Sequence, residues 1–254
     1  MTLTGIVVAG TLRALTAQKR FYARQARILV ARHAMRASAI ILSSEFREAS
    51  SVGGDLYFIA SDSVGLRSTV GFGIICALNV GTGQLSLSET SGHFRLQTGD
   101  SVLVYIENGP TNTDDEWRSV PLLGISTGGP TCANGYAADL QVTVGGNMSG
   151  GMVGAPVRLF RASAYGLFEL NGRYWLGRRN MGAGEEYVPV AGPLAPPADN
   201  GLIMTYYDYQ TRVATTNRAR VGRVEINLRA PTDRTQYDPA YRDLSTSTQL
   251  RNNG

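Results

Sequence analysis

The sequence predicts an α+β fold, in which a long N-terminal helix packs its second half on an antiparallel β-sheet that extra strands and loops elaborate. Residues 1–50 contain no proline, and the first proline is Pro110. A glycine stop signal follows at Val52-Gly53-Gly54. Beyond it, short apolar runs of period two alternate with most of the 30 glycines. We predict three regions: helix 1–52, β-rich body 53–230 and polar C-terminal tail 231–254.

The predicted helix changes character along its length. Residues 1–15 are almost wholly apolar, whereas residues 16–52 are amphipathic and basic. Only twelve residues precede Arg13, fewer than the roughly 20 that span a bilayer. Lower down, apolar residues recur at intervals of three and four in one stripe: Ile28, Ala31, Met35, Ala39, Leu42 and Phe46. We therefore predict that Ala34–Phe46 packs on a sheet and that the upper half projects.

The positive charge belongs to the helix. The chain has 24 basic and 20 acidic groups; eight basic and two acidic ones lie in residues 1–50, which leaves 16 and 18 for the rest. The helix is therefore net +6 and the body net −2. A body without concentrated basic charge argues against nucleic-acid binding. The basic part of the helix has three interpretations: a solvated face, contacts with lipid head groups, or contacts with acidic neighbours.

The body reads as a succession of short strands. The Asn171-Gly172 pair between two apolar runs predicts a type I′ hairpin. Gly145–Gly154 reads as a flexible loop, and Ala191–Asn200 as a proline-stiffened connector. The predicted strands are Leu56–Ala60, Gly65–Thr69, Gly73–Leu78, Gln84–Ser88, Ser101–Ile106, Leu140–Val144, Val157–Ala162, Gly166–Leu170, Arg173–Arg178, Leu202–Tyr207 and Arg223–Leu228.

The sequence carries no catalytic constellation, so we do not expect an enzyme. Lys19 is the only lysine, which excludes a P-loop. The two histidines are far apart and lack cysteines at metal spacing, which argues against zinc. One acidic cluster offers oxygen ligands for Ca2+, although a solvated acidic loop is the simpler interpretation. Its members are Asp114, Asp115 and Glu116.

The chain has two cysteines, Cys76 and Cys132. Two cysteines are compatible with one disulfide in an exported protein. The alternative is a pair of buried thiols.

The long helix and the end of the body resemble type IV pilin-like proteins, close to PilW and PulJ minor pilins and pseudopilins. Gln18-x-Arg20-Phe21-Tyr22-x-x-Gln25 resembles the family's stem, and Met35-Arg36-Ala37 with Glu45-x-Arg47-Glu48-Ala49-Ser50 resembles its junction with the body. Gly192-Pro193-Leu194 and Gly201–Asp208 resemble a late hairpin of the family, and Val221–Leu228 resembles its final strand. The resemblance covers about half the chain. The family's leader and opening Phe-Thr-Leu-x-Glu are missing, so we expect that the leader and the first part of the helix precede this sequence.

The resemblance implies a structural subunit of a type IV pilus or type II secretion filament. The body would lie in the periplasm while the helix rests in the inner membrane, and the filament would then reach the periplasm or cell surface. Other pilins or pseudopilins would be its partners, with no nucleic acid, no small-molecule substrate and no cofactor expected. A filament-tip adhesin, a DNA-uptake pilin and a soluble enzyme remain alternatives. Helix packing is predicted for Ile6, Val7, Val8, Leu12, Leu15, Phe21 and Ile28.

Overall fold

A computed structural model describes residues 2–92, 99–109, 115–132, 135–232 and 241–251, with side chains from residue 11 onward. In these ranges the chain forms one α-helix, twelve strands and two short 3-10 helices. The helix α1 is Thr2–Glu48 and the 3-10 helices are Pro197–Asp199 and Arg218–Arg220. The strands are β1 Leu56–Ile59, β2 Ser63–Asn79, β3 Gln84–Gly92, β4 Asp100–Ile106, β5 Glu116–Thr127, β6 Leu140–Val144, β7 Pro156–Leu170, β8 Arg173–Asn180, β9 Val188–Leu194, β10 Leu202–Asp208, β11 Val221–Pro231 and β12 Tyr241–Gln249.

The prediction of an α+β, type IV pilin-like head is wrong. The protein is mostly β, with 52% of residues in strands and 20% in helix. Nine strands form one antiparallel sheet in the order β1-β2-β3-β6-β5-β4-β7-β8-β9, and β10, β11 and β12 form a second sheet. The error lies in the body, because short apolar runs specify strands without specifying their pairing.

Six strands of the large sheet close into a barrel. Strand β2 pairs with β3 and also with β7, so the ring β2-β3-β6-β5-β4-β7 has no free edge. Such closure satisfies the backbone of every member strand. Inward-facing aliphatic side chains fill the interior, among them Ile75, Leu85, Leu87, Val102, Val104, Val120, Val142, Val157 and Leu159. Among the described residues these side chains form one buried cluster inside the barrel.

A second core joins α1 to the remaining strands, and we call this part the scaffold. The lower half of α1 contacts β9, β11 and β12. Its buried residues Met35, Leu42 and Phe46 are at most 3% exposed. They meet the inner face of the three-stranded sheet, where every second residue of β11 is buried. Burial of such side chains contributes about 1.5–3 kcal/mol each, which holds this half of α1 in place.

The barrel is inserted between two strands of the scaffold. The first half of β2 and the second half of β7 belong to the scaffold core through Val64, Leu66 and Tyr165. The other halves belong to the barrel core. The two strands pair antiparallel from Ser63–Gly166 to Ile74–Pro156. The barrel is therefore an elaborated hairpin tip, and two pairs of separately predicted strands are in fact continuous.

Three strands had no counterpart in the prediction: β5, β9 and β12. Residues 241–249, predicted to belong to a loose tail, pair with β11 along their whole length. Part of the predicted connector at 191–200 belongs to β9. The hairpin at Asn171-Gly172 is confirmed, since both residues have positive φ, 54° and 69°. Helix α1 ends at Glu48, four residues before the predicted boundary.

Candidate functional site

The upper half of α1 projects from the body. Within residues 11–30 every side chain is exposed except that of Ile28, which is half-buried. We call residues 11–30 the stem; at 1.5 Å per residue it is about 30 Å long. Its large apolar side chains are uncovered, with exposed fractions of 50% for Leu15 and 62% for Tyr22. Exposed apolar side chains in this number mark an interaction surface.

The stem has an apolar face and a basic face on opposite sides. At 100° per residue, Leu15, Tyr22 and Leu29 fall within an arc of about 40°, while Leu12, Val30 and Phe21 lie about 80–100° from its centre. Arginines occupy an arc of about 60° on the opposite side: Arg13, Arg20, Arg24 and Arg27. No acidic residue occurs in α1 before Glu45. The stem is therefore an amphipathic, positively charged helix.

The two faces have a defined orientation relative to the body. The residues of α1 that are buried against the scaffold include Ala31, Met35 and Leu42. Following the helical repeat upward, the same side of the helix carries Arg20 and Arg24. The basic face thus lies on the body side, and the apolar face points away from the body. The apolar face of the stem and the buried face of the lower half therefore lie on different sides of α1.

The residues predicted for helix packing differ in exposure, and Ile28 alone among those with described side chains is half-buried. Leu12, Leu15 and Phe21 are 50–59% exposed and make no core contact in the monomer. The side chains of Ile6, Val7 and Val8 lie outside the described residues. Their role in packing between subunits stays a prediction.

A polar cluster anchors the lower half of α1 to the large sheet. The carboxylate of Glu45 accepts a hydrogen bond from the Tyr165 hydroxyl at 2.7 Å and from the Ser68 hydroxyl at 2.7 Å. Burial raises the pKa of Tyr165, and the nearby charge of Glu45 raises it further. Tyr165 therefore stays protonated and donates. Two charge-assisted bonds from β2 and β7 fix the axial position of the helix.

The predicted disulfide is confirmed. Cys76 and Cys132 are bonded, with Cα atoms 5.0 Å apart and 56 residues between them in sequence. Both cysteines are buried, beside Ala138. The bond ties β2 to the segment between β5 and β6, on the wall of the barrel.

The calcium candidates have other partners where they are described. Asp114 lies outside the described residues. The Asp115 carboxylate accepts a 2.5 Å hydrogen bond from the Tyr105 hydroxyl, which raises the pKa of Tyr105. Glu116 forms a salt bridge with Arg118. Within the described ranges, no group of three histidine, cysteine or acidic residues has the arrangement of a metal site.

A cleft of about 440 Å³ lies where the barrel meets the scaffold, and sequence reasoning did not detect it. Its lining residues come from four distant parts of the chain, so no local sequence motif indicates it. We call it the junction cleft. Its lining residues are Glu48, Ser50, Asp55, Thr69, Phe72, Arg158 and Arg251.

The outer surface of the barrel leads into the junction cleft. Residues paired directly across antiparallel strands project to the same face. One such row runs across β5, β4, β7 and β2: Ser119, Leu103, Arg158 and Phe72. Val157, the neighbour of Arg158, faces the barrel core, so this row faces outward. Phe72 is 39% exposed at its end.

An aromatic pair lies on the outside of the barrel, on β4 and on β5, the strand opposite β2 in the ring. Tyr105 is two residues along β4 from Leu103 and pairs directly with Trp117. The two rings meet edge to face with centroids 5.6 Å apart, and Trp117 is 47% exposed. Because β2 and β5 lie three strands apart in a ring of six, Phe72 and Trp117 face opposite sides of the barrel, and Leu103 between them is buried.

Comparisons with protein-family models, with curated proteins and with solved structures found no match to this chain. Among the described residues, no helix has a stretch that is long and apolar enough to cross a bilayer.

Proposed function

We propose that this chain is a structural subunit of a bacterial type IV pilus or type II secretion filament, a minor pilin or pseudopilin that assembles through its N-terminal helix. The observation that carries the proposal is the stem, whose apolar side chains stand clear of the body. Covering them with the helices of neighbouring subunits removes apolar area from water, at about 25 cal/mol per Å². The partners are other pilins or pseudopilins.

The two stem faces assign different roles within the assembly. The apolar face, marked by Leu15, Tyr22 and Leu29, points away from the body and packs against other helices. The basic face, with Arg20 and Arg24, meets acidic groups on neighbouring bodies, which carry a net charge of −2. Opposite charges at these contacts fix the register of neighbouring subunits.

The proposal places the protein in an oxidising compartment. The body lies in the periplasm while the helix is held at the inner membrane, and later in a filament of the periplasm or cell surface. The bond between Cys76 and Cys132 supports this location, because disulfides persist in the periplasm and outside the cell.

The body contributes nothing to the assignment by its fold. Its nine-stranded sheet with a closed barrel is not a pilin-like head. The support therefore comes from the exposed side chains of the stem and from the resemblance of the α1 sequence to the family. In the filament the barrel is a displayed module, carried by the scaffold.

Substitutions on the apolar face test the proposal. We expect Leu15→Arg and Leu29→Arg to lower the amount of protein recovered in sheared filaments at least tenfold, at equal cellular abundance. Val213→Arg is the matched control, since Val213 is an exposed apolar residue of the body at 64% exposure. Quantitative immunoblotting of sheared and cell-bound fractions gives the readout.

The proposal fails if the two stem variants are recovered in filaments as well as the wild type, or if the wild type is never found there. The stem side chains make no core contact, so the melting temperature of both variants should match that of the wild type. A lowered melting temperature would assign these side chains to the core instead, against the proposal.

A further inference from the structure

We propose that the junction cleft binds an acidic sugar, a hydroxyl-rich ring that carries a carboxylate. This inference does not depend on filament assembly. It rests on the charge left over in the cleft, on the polar side chains of its lining and on the exposed ring of Phe72.

The cleft holds two arginines without a carboxylate partner. Arg158 and Arg251 form no salt bridge with a described carboxylate. Arg158 donates from Nη2 to the Thr69 hydroxyl at 2.9 Å, which fixes the direction of its guanidinium. Arginine in such a setting favours a planar anion, because its fork of N–H groups matches a carboxylate.

The acidic side chains of the cleft do not neutralise both arginines. Asp55 is buried, and its oxygens are taken by the Arg67 guanidinium at 3.2 Å and the Ser50 amide at 2.9 Å. Glu48 is the remaining carboxylate among the lining residues. Two guanidiniums then face one free carboxylate, and the cleft is left with net positive charge.

The rest of the lining indicates what carries the carboxylate. Six of the seven lining residues are polar, and the seventh, Phe72, offers an exposed ring. Phe72 is the one apolar residue of the lining, so a peptide carboxyl terminus would find a single apolar side chain to meet its last residue. A sugar ring has hydroxyls for the polar groups and a C–H face for Phe72. The volume of about 440 Å³ falls in the usual range for ligand sites.

Titration of the full-length protein with galacturonate, followed by calorimetry or by NMR, tests the inference. We expect Arg158→Gln and Arg251→Gln each to weaken binding at least tenfold, and Phe72→Ala to weaken it several-fold. Arg173→Gln is the matched control and should bind as the wild type does. Arg173 is an exposed arginine at the start of β8, at the scaffold end of the β7–β8 hairpin and about 40 Å along the strands from Arg158.

Three further ligands separate the contributions. Galactose lacks the carboxylate and acetate lacks the ring, so each should bind at least tenfold more weakly than galacturonate. A tripeptide with a free carboxyl terminus should bind no better than acetate. Tripeptide binding equal to that of galacturonate would replace the sugar with a peptide and overturn the assignment.

Two other results would also overturn the inference. One is the absence of galacturonate binding by the wild type at millimolar concentration. The other is unchanged binding in Arg251→Gln, whose exposed side chain is lost without a cost in folding. Far-UV circular dichroism and the melting temperature verify that each variant is folded.

Discussion

At the scale of single residues, Glu45 decides where the helix sits. It is the first acidic residue of α1, and it receives hydrogen bonds from Tyr165 on β7 and Ser68 on β2. The apolar stripe of α1 is built largely from alanine and aliphatic side chains, which tolerate sliding along the helix axis. The two bonds to Glu45 are directional, so they select one position among those that packing allows.

Replacement of Glu45 by alanine should destabilise the protein by about 2 kcal/mol, because the buried Tyr165 hydroxyl loses its charged acceptor. Urea denaturation at pH 7 measures the change. Glu48→Ala, one turn further on at an exposed position, should change stability by less than about 0.5 kcal/mol. Equal effects of the two substitutions would contradict an anchoring role for Glu45.

Two buried tyrosines should make the protein sensitive to alkali. Burial raises the pKa of Tyr165 and of Tyr206, whose hydroxyl also donates to the Ala60 carbonyl. The unfolded chain releases these protons at a pKa of about 10, whereas the folded protein retains them. Their contribution to stability is complete below pH 10 and is lost as the pH rises above it.

The double variant Tyr165→Phe, Tyr206→Phe tests this dependence. Between pH 9 and pH 11 the wild type should lose about 1.4 kcal/mol more per buried tyrosine than the variant, measured by urea denaturation. Tyr22→Phe, at an exposed stem position, should leave the pH dependence unchanged. Parallel curves for the wild type and the double variant would refute the expectation.

At the scale of elements, local patterns predicted most strands but not their limits. Strand β9 contains Pro189 and Pro193 and reads as a connector, yet proline is tolerated there because β9 lies at the edge of the sheet. Strand β12 is mostly polar because it is also an edge strand. In β5, Pro121 interrupts the pattern just before a bulge at Leu122–Gly124. These strands depend on partners far away in sequence.

The helix differs from these strands, because its local sequence pattern predicted which residues are buried and which are exposed. The stripe through Met35, Leu42 and Phe46 predicted the buried face, and all three are buried. The candidate site divides in the same way. The disulfide and the stem were detectable in sequence, whereas the junction cleft was not, since its residues converge only after β2 and β7 have paired.

Hydrogen exchange should separate the two halves of α1. Apart from the half-buried Ile28, the side chains of the stem are exposed, so its amides should exchange close to the rate of an isolated helix. Amides of residues 34–46 should exchange at least a hundredfold more slowly, because they open only with the scaffold. Mass spectrometry of the dilute monomer measures both. Equal protection of the two halves would mean that the stem packs on the monomer.

At the scale of the whole molecule, the protein consists of two cores that share two strands. The scaffold core and the barrel core contact different halves of β2 and β7. No short window of sequence predicts this arrangement, because the pairing of β2 with β7 joins residues up to 103 positions apart. The long intervening segment reads as generic β sequence until that pairing closes the ring.

Excision of the barrel tests the insertion directly. Because the Ile75 amide donates to the Ala155 carbonyl at 3.0 Å, deletion of residues 76–154 and their replacement by Asn-Gly should leave β2 and β7 as an ordinary hairpin, closed by a pair with an N–H on each side. We expect the shortened protein to keep its helical circular dichroism signal and to unfold cooperatively. As a control, the same replacement with one extra residue shifts the register, exposes Val64 or Leu66 and should abolish folding. Failure of the in-register variant to fold would show that the two cores depend on each other.

The side-by-side position of the two strands that connect the barrel has a mechanical consequence. Tension applied along α1 passes into the scaffold through β9, β11 and β12, and it does not need to cross the barrel. The barrel lies beside the elements that carry this tension, because both of its connections to the scaffold run through the adjacent strands β2 and β7. A filament under traction would therefore stretch its stems and scaffolds while the barrel stays folded. Only a pull exerted on the barrel itself would shear β2 against its neighbours.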